Sequence, residues 1–284
     1  AGVLSGTPSV SGGFYFAVTL TDSATITFVG EYLLNVRVPQ VYVAYVADQF
    51  TDGVNEVMIV DVNTSSPGAP IPTFPAPPLT GDASTSIASM WMSPDGRYLA
   101  YLADFAIDNT EDVYIVDLTA MAPVAVNVTN IASGGDAEHF EWSPDSLKLA
   151  ITGDFTVLND DELAILDLTA GLPGIFTIVA TPVPLGDVYP TSAQTQNDDS
   201  AWSLDSTKYY FRAELRVDND YEAYMYDLNA PLAGPQPLHP PNVTNGDVWT
   251  VGAAGANIVY FAGDIEVDAE TNQYAVDTTG GVIG

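Results

Sequence analysis

Residues 104–117 read DFAIDNTEDVYIVD and carry acids at Asp104, Asp108, Glu111, Asp112 and Asp117. Four of these follow the spacing D-x3-D-x3-D-x4-D, with a run of strand-forming residues inside it. Carboxylates this close repel one another unless a cation, a proton or a set of N–H donors opposes the repulsion. Paired carboxylates and loop carbonyls suit calcium, so two loops supply the candidate metal ligands. One carries Asp48, Asp52 and Glu56; the other carries Asp104, Asp108 and Asp112. The spacing is not that of an EF-hand loop, which needs alternate ligands and a central Gly. The competing reading is a solvated face that resists aggregation, or acids that cap their own hairpin turns.

The motif is one of five copies: ADQFTDGVNEVMIVD, ADFAIDNTEDVYIVD, GDFTVLNDDELAILD, AELRVDNDYEAYMYD and GDIEVDAETNQYAVD. Their first acids are Asp48, Asp104, Asp154, Glu214 and Asp264; the last are Asp61, Asp117, Asp167, Asp227 and Asp277, always 13 residues on. Of the twenty positions in the four columns, eighteen are acidic, and the exceptions are Leu158 and Asn272. An alternating apolar run precedes each copy, as in RYLAYLA and LKLAITG. Before three of those runs stands a turn, SPDG at 93–96, SPDS at 143–146 and SLDS at 203–206. Pro pre-sets φ and Gly tolerates positive φ, which makes Pro-Asp-Gly a tight-turn signal. A Trp-bearing run precedes each turn, and Trp91, Trp142 and Trp202 read as one recurring core position. Pro- and Gly-rich turns, a short extended run and a Gly-Asp pair, ending at Asp82, Asp136, Asp187 and Asp247, follow the first four motifs. Each unit thus reads as four short strands, a–b–c–d, in a repeat of 50–60 residues, the signature of a propeller blade.

The chain has 284 residues, is 47% hydrophobic and holds no cysteine. It buries a substantial core, and disulfides and Cys-based zinc or redox sites are excluded. With 37 acids against 6 bases the formal net charge is −31. A field of that sign disfavours nucleic acid and anionic membranes and suits cations or basic partners. No run of 18 apolar residues exists, so no membrane-spanning helix is expected. The start, AGVLSG, has no Met and no basic n-region, which fits a mature secreted chain after signal-peptide removal.

The stretch W-SPDGRYLAYLAD…DVYIVDL resembles the WD-like, SPDG-containing blade repeat of TolB-type β-propellers, and is similar to the propellers of prolyl oligopeptidases. The resemblance covers roughly residues 37–277. It implies a propeller that works through protein contacts in the periplasm or outside the cell, and it brings no catalytic residue. The chain departs from the family in its acidity and its longer acidic b–c loop.

The expected fold is all-β: a single five-bladed propeller over residues 1–284, with four-stranded antiparallel blades at about 25–79, 87–129, 138–184, 199–243 and 247–277. The fifth copy ends seven residues before the terminus, too short for a fourth strand. Residues 1–12 form a leader, and 13–20 (GFYFAVTL) form the closing strand, because LTDSATITF (20–28) aligns with LTGDASTSI (79–87). That strand completes the last blade of its own chain or of a neighbouring copy, two routes the sequence leaves open. The first three acid columns and the Gly-Asp pairs belong to one face. The fourth column ends strand c at the other face, where an Asp before a turn accepts backbone N–H bonds. Arg37, Arg97, Lys148 and Lys208 also fall at that second face.

These features lead to a secreted, non-catalytic propeller, a structural or surface-assembly component in contact with protein or with further copies of itself, in filaments or head to tail. Calcium is the one cofactor the acids suggest. The alternative is a calcium-dependent propeller that binds or cleaves glycans, with Glu31, Glu138, Glu141 and His139 as its channel residues.

Overall fold

The computed structural model describes residues 12–21, 27–36, 42–49, 55–62, 71–72, 87–107, 109–120, 123–132, 135–156, 160–181, 188–189, 200–216, 220–240, 247–265 and 271–279. Within them every regular element is a strand except one turn of 3-10 helix at Pro231–Ala233. The chain divides into two compact units, Ala1–Ala44 with Ile59–Pro70, and Tyr45–Met58 with Ile71–Gly284.

In the first unit β1 (Gly12–Thr21) and β2 (Thr27–Val36) form a two-stranded antiparallel sheet, from Gly12 opposite Val36 to Thr21 opposite Thr27. Both segments are strands, as expected, and the sequence reading did not anticipate that they pair with each other. Residues 13–20 were expected beside the last blade, and the segment from residue 25 was expected to open the first. Here they pair with each other. Only five residues separate them, and so short a connection has the lowest loop-closure cost. A three-stranded sheet follows, made of β3 (Tyr42–Ala47), β4 (Glu56–Asp61) and β5 (Ile71–Pro72).

The second unit repeats one pattern. β6 (Ile87–Met92), β7 (Tyr98–Ile107), β8 (Thr110–Asp117) and β9 (Ala125–Asn127) form an antiparallel sheet in chain order. So do β10 (Ala137–Trp142), β11 (Lys148–Gly153), β12 (Glu162–Asp167) and β13 (Ile175–Ala180). The next sheet splits its first strand into β14 (Val188–Tyr189) and β15 (Ser200–Trp202), both on β16 (Lys208–Ala213), followed by β17 (Glu222–Asp227) and β18 (Gln236–Pro237). The last holds β19 (Val248–Ala253), β20 (Ile258–Gly263) and β21 (Asn272–Asp277), and it is three-stranded.

The split strand has a physical origin. The first strands β6, β10 and β19 each break register near their start, between Ile87 and Met90, Ala137 and His139, and Val248 and Thr250. A bulge is where a ladder tolerates extra residues. In the third sheet the first strand is divided at that point, with Val188 opposite Ala213 and Ser200 opposite Phe211.

Alternation places residues on both faces of the central strands, and both faces are buried. Leu149 and Ile151 of β11 join Tyr98, Leu102, Val113 and Ile115 of the preceding sheet. Ala150, between them, joins Tyr209, Phe211 and Tyr224 of the following one. A third core packs Tyr210, Met225 and Leu238 against Val251, Val259 and Phe261 of the last sheet. Successive sheets are therefore stacked face to face, as propeller-type blades are.

Candidate functional site

The third acid of the repeat is the most deeply placed. Asp112, Glu162 and Glu222 are 1%, 0% and 1% exposed. A buried carboxylate is tolerated only when donors satisfy it, and each of these is satisfied. Asp112 accepts Asn127 Nδ2 at 2.7 Å, Thr129 Oγ1 at 2.7 Å and Ile131 N at 2.8 Å. Glu162 accepts Phe155 N at 3.1 Å, Thr156 N and Oγ1 at 2.5 Å, and Thr181 Oγ1 at 3.2 Å. Glu222 is gripped by two N–H groups of Arg216 and by Tyr224 OH. Asp112 ties strand c to the end of strand d and the segment after it, Glu222 ties it to the b–c hairpin, and Glu162 does both.

The other columns divide. Asp104, Glu214 and Asp264 of the first column are buried, whereas Asp48 is exposed. Glu56 accepts Gln49 N at 2.9 Å, closing its own hairpin. Asp52 and Asp108 lie outside the described residues. Ile107 pairs with Thr110, and Asn109 between them takes the left-handed φ of 54°. Among the described residues no group of three or more His, Asp or Glu side chains is arranged to hold a metal ion.

The Gly-Asp pairs act between sheets. Asp136, which leads into β10, accepts Glu111 N of the preceding sheet at 2.8 Å. Asp247, which leads into β19, accepts Tyr221 N at 3.1 Å. The backbone closes as tightly: Asp136 O accepts Asp154 N at 2.8 Å, and a Cβ on Gly153 (φ 155°) would stand 2.1 Å from that oxygen. Glycine is required there.

The fourth column caps turns as its position suggests. Asp117, Asp167, Asp227 and Asp277 accept the N–H two residues on, at 2.9, 2.7, 2.8 and 2.8 Å. Asp117 also accepts Arg97 Nη2 at 2.8 Å. Burial works against its charge, but the bonds from Arg97 and Thr119 hold its carboxyl below the usual range.

At the same end lies a second set of inter-sheet bonds that the sequence did not announce. The Ser of each S-x-D turn donates to the Asp, at 2.7, 2.6 and 2.7 Å for Ser93, Ser143 and Ser203. The fourth turn position is left-handed in all three: Gly96, Ser146 and Ser206 have φ of 71°, 63° and 59°. Such a φ disfavours serine, yet both serines are buried and employed. Ser146 Oγ accepts Asp95 N and Ser206 Oγ accepts Asp145 N, each at 2.9 Å from the preceding sheet. The SPDS spelling was the available signal, since serine offers an acceptor that glycine lacks.

The residues weighed for catalysis have structural surroundings. Burial pushes His139 down to about 4, so it is neutral near pH 7. Glu141 is raised by burial, opposed by bonds from Ser200 Oγ and Tyr209 OH, each at 3.1 Å. Glu138 is exposed, and Glu31 lies on β2. His239 Nε2 accepts Ala223 N at 3.0 Å, the role Thr129 Oγ1 plays for Val113 N. The Trp pattern needs correcting. Counted from the turn serines, Trp142 and Trp202 match Met92, and Trp91 falls one residue earlier. A one-residue step in a strand reverses the face; Trp91 is 47% exposed and Trp202 is 4%.

The chain is thus an all-β protein of stacked, propeller-type blades. No protein-family model and no curated protein sequence matches it. Among solved structures, dipeptidyl peptidase 4 of Porphyromonas gingivalis superposes with a TM-score of 0.53 at 10% identity, over 84% of this chain and 37% of that one. A protein assigned as TolB from Agrobacterium tumefaciens matches at a TM-score of 0.40 and 12% identity, over 90% of this chain and 83% of that one. Oligogalacturonate lyase from Vibrio parahaemolyticus matches at 0.45 and 14%, over 79% and 55%. This chain spans little more than a third of the peptidase's length, and that likeness concerns the fold alone.

Proposed function

We propose that this chain is a secreted, non-catalytic five-bladed propeller that works through protein contacts as a structural or surface-assembly component. The observation that carries the reading is the last sheet. Its inner face packs on the preceding sheet through Val251, Val259 and Phe261. Its other face exposes Ile258 and Tyr260, each at 39%, and among the described residues no further strand lies beside β21. An apolar face beside an open edge is a place for another polypeptide. The reading gives the repeat's carboxylates a structural task, supported by the bonds of Asp112, Glu162 and Asp136.

Light scattering and electron microscopy of the purified chain test it. Oligomers or filaments that grow with concentration are expected. A monomer at every concentration, with no filaments, would overturn the assembly role. Calcium is expected to leave the melting temperature unchanged. A rise would reassign Asp48, Asp52 and Glu56, or Asp104, Asp108 and Asp112, to a cation site.

A further inference from the structure

We propose that the open edge of β21 receives β1 of a second copy of this chain, with Gly13 opposite Ala275. The inference rests on the assembly reading above and names its partner and register.

Three observations converge. The sheets ending in β9, β13 and β18 each have a fourth strand against strand c, whereas the sheet ending in β21 has none among the described residues. β21 is exposed at Asn272, Gln273, Ala275 and Asp277, with only Tyr274 and Val276 half-buried against the core. β1 pairs only with β2, which leaves its other edge open among the described residues. One chain therefore carries an acceptor edge and a donor edge on different elements. Such a heterologous pair joins copies head to tail.

Two of the complete sheets supply the register; in the third, Met225, two before Asp227, pairs with Gln236, eleven before Asp247. Ile115 stands two residues before Asp117 and pairs with Val126, ten residues before Asp136. Ile165 stands two before Asp167 and pairs with Thr177, ten before Asp187. In the last sheet the residue two before Asp277 is Ala275. The alignment of LTDSATITF with LTGDASTSI puts Ser23 at the Gly-Asp position, and ten residues before it is Gly13. The sequence of β1 alternates Phe14, Phe16, Val18 and Leu20 with smaller or polar residues, the pattern of a strand with one face on a core. The same offset in two sheets and a matching alternation in β1 assign this edge to β1.

The chain has no cysteine, so engineered thiols report without background. Residues directly opposite in an antiparallel pair lie within disulfide reach. Gly13→Cys chains are mixed with Ala275→Cys chains under mild oxidation and run on a non-reducing gel. Circular dichroism first confirms that each variant is folded. A covalent dimer in the mixture is expected, several-fold above that from Phe16→Cys mixed with Ala275→Cys, whose register is wrong. Two results would overturn the proposal: no dimer, or a double variant that forms only an internal disulfide, which means β1 closes its own sheet. Light scattering of the unmodified chain separates the failures. Association without the crosslink leaves the assembly reading standing and removes β1 from it; a monomer removes both.

Discussion

The sheet β6–β9 and the sheet β19–β21 differ at one repeat position. In the first, the third acid is Asp112, buried, holding Asn127, Thr129 and Ile131 at and just beyond β9. In the second, the same position is Asn272, exposed, and no fourth strand lies beside β21 among the described residues. In β12 the acid is Glu162, which reaches Thr181 just after β13. In β8 and β12 the third acid ties down the segment at or just after the fourth strand, whereas Glu222 in β17 holds Arg216 and Tyr224. The loss of the acid at Asn272 coincides with the open edge.

The largest effect should come from breaking the buried member of that comparison. Asp112→Ala leaves three donors without their acceptor, the buried Ile131 N among them, so a loss of about 3–5 kcal/mol is expected in denaturant unfolding. Asn272→Ala should change stability by less than about 0.5 kcal/mol. Equal effects would dissolve the distinction between the two sheets.

The bonds between sheets come next. Ser146→Ala keeps the left-handed φ and removes the acceptor of Asp95 N, at an expected cost of about 1–2 kcal/mol. Ser146→Gly relieves the backbone while losing the same bond, and should be the milder change. If alanine proves as mild as glycine, the bond from Asp95 contributes little.

A pH measurement sharpens the contrast between buried and exposed acids. Glu141 has a raised carboxyl in the folded chain, so folding favours its protonated form. Its charge therefore costs stability at neutral pH, and the cost vanishes as pH falls below the unfolded value. Glu141→Gln is expected to raise the melting temperature at pH 7 and to lose that advantage in acid. His139 works in the opposite direction with pH. Its folded pKa of about 4 lies below the ordinary 6.5, so stability falls as pH drops through that window and levels off below it. His139→Gln should flatten that limb of the profile.

The smallest effect belongs to the half-buried cap. Asp117→Asn keeps an acceptor for Thr119 N and weakens the pair with Arg97, so less than about 1 kcal/mol is expected. The lowered carboxyl of Asp117 contributes above its unfolded pKa and is lost as pH falls through the folded one, so the difference should disappear in strong acid.

The strand repeat was legible from residues alone, because alternation and the 13-residue acid spacing recur in all five copies and the S-x-D turn in three. Period 2 assigns strands and their faces, and an Asp at a strand end predicts a cap; both follow from local chemistry. The Trp91 error was local too, one residue of register that the turn serines could have settled.

Sequence alone determined the strand repeat, its turns and its acid columns. Only the tertiary structure decided which acids are buried, since Asp112 and Asp48 look alike until distant donors such as Ile131 N arrive. It likewise decided that Ser146 and Asp136 join sheets rather than cap their own, and that β1 pairs with β2. The bonds of Ser146 and Asp136 join groups 51 and 25 residues apart, and contacts at that range follow from packing rather than from the local pattern.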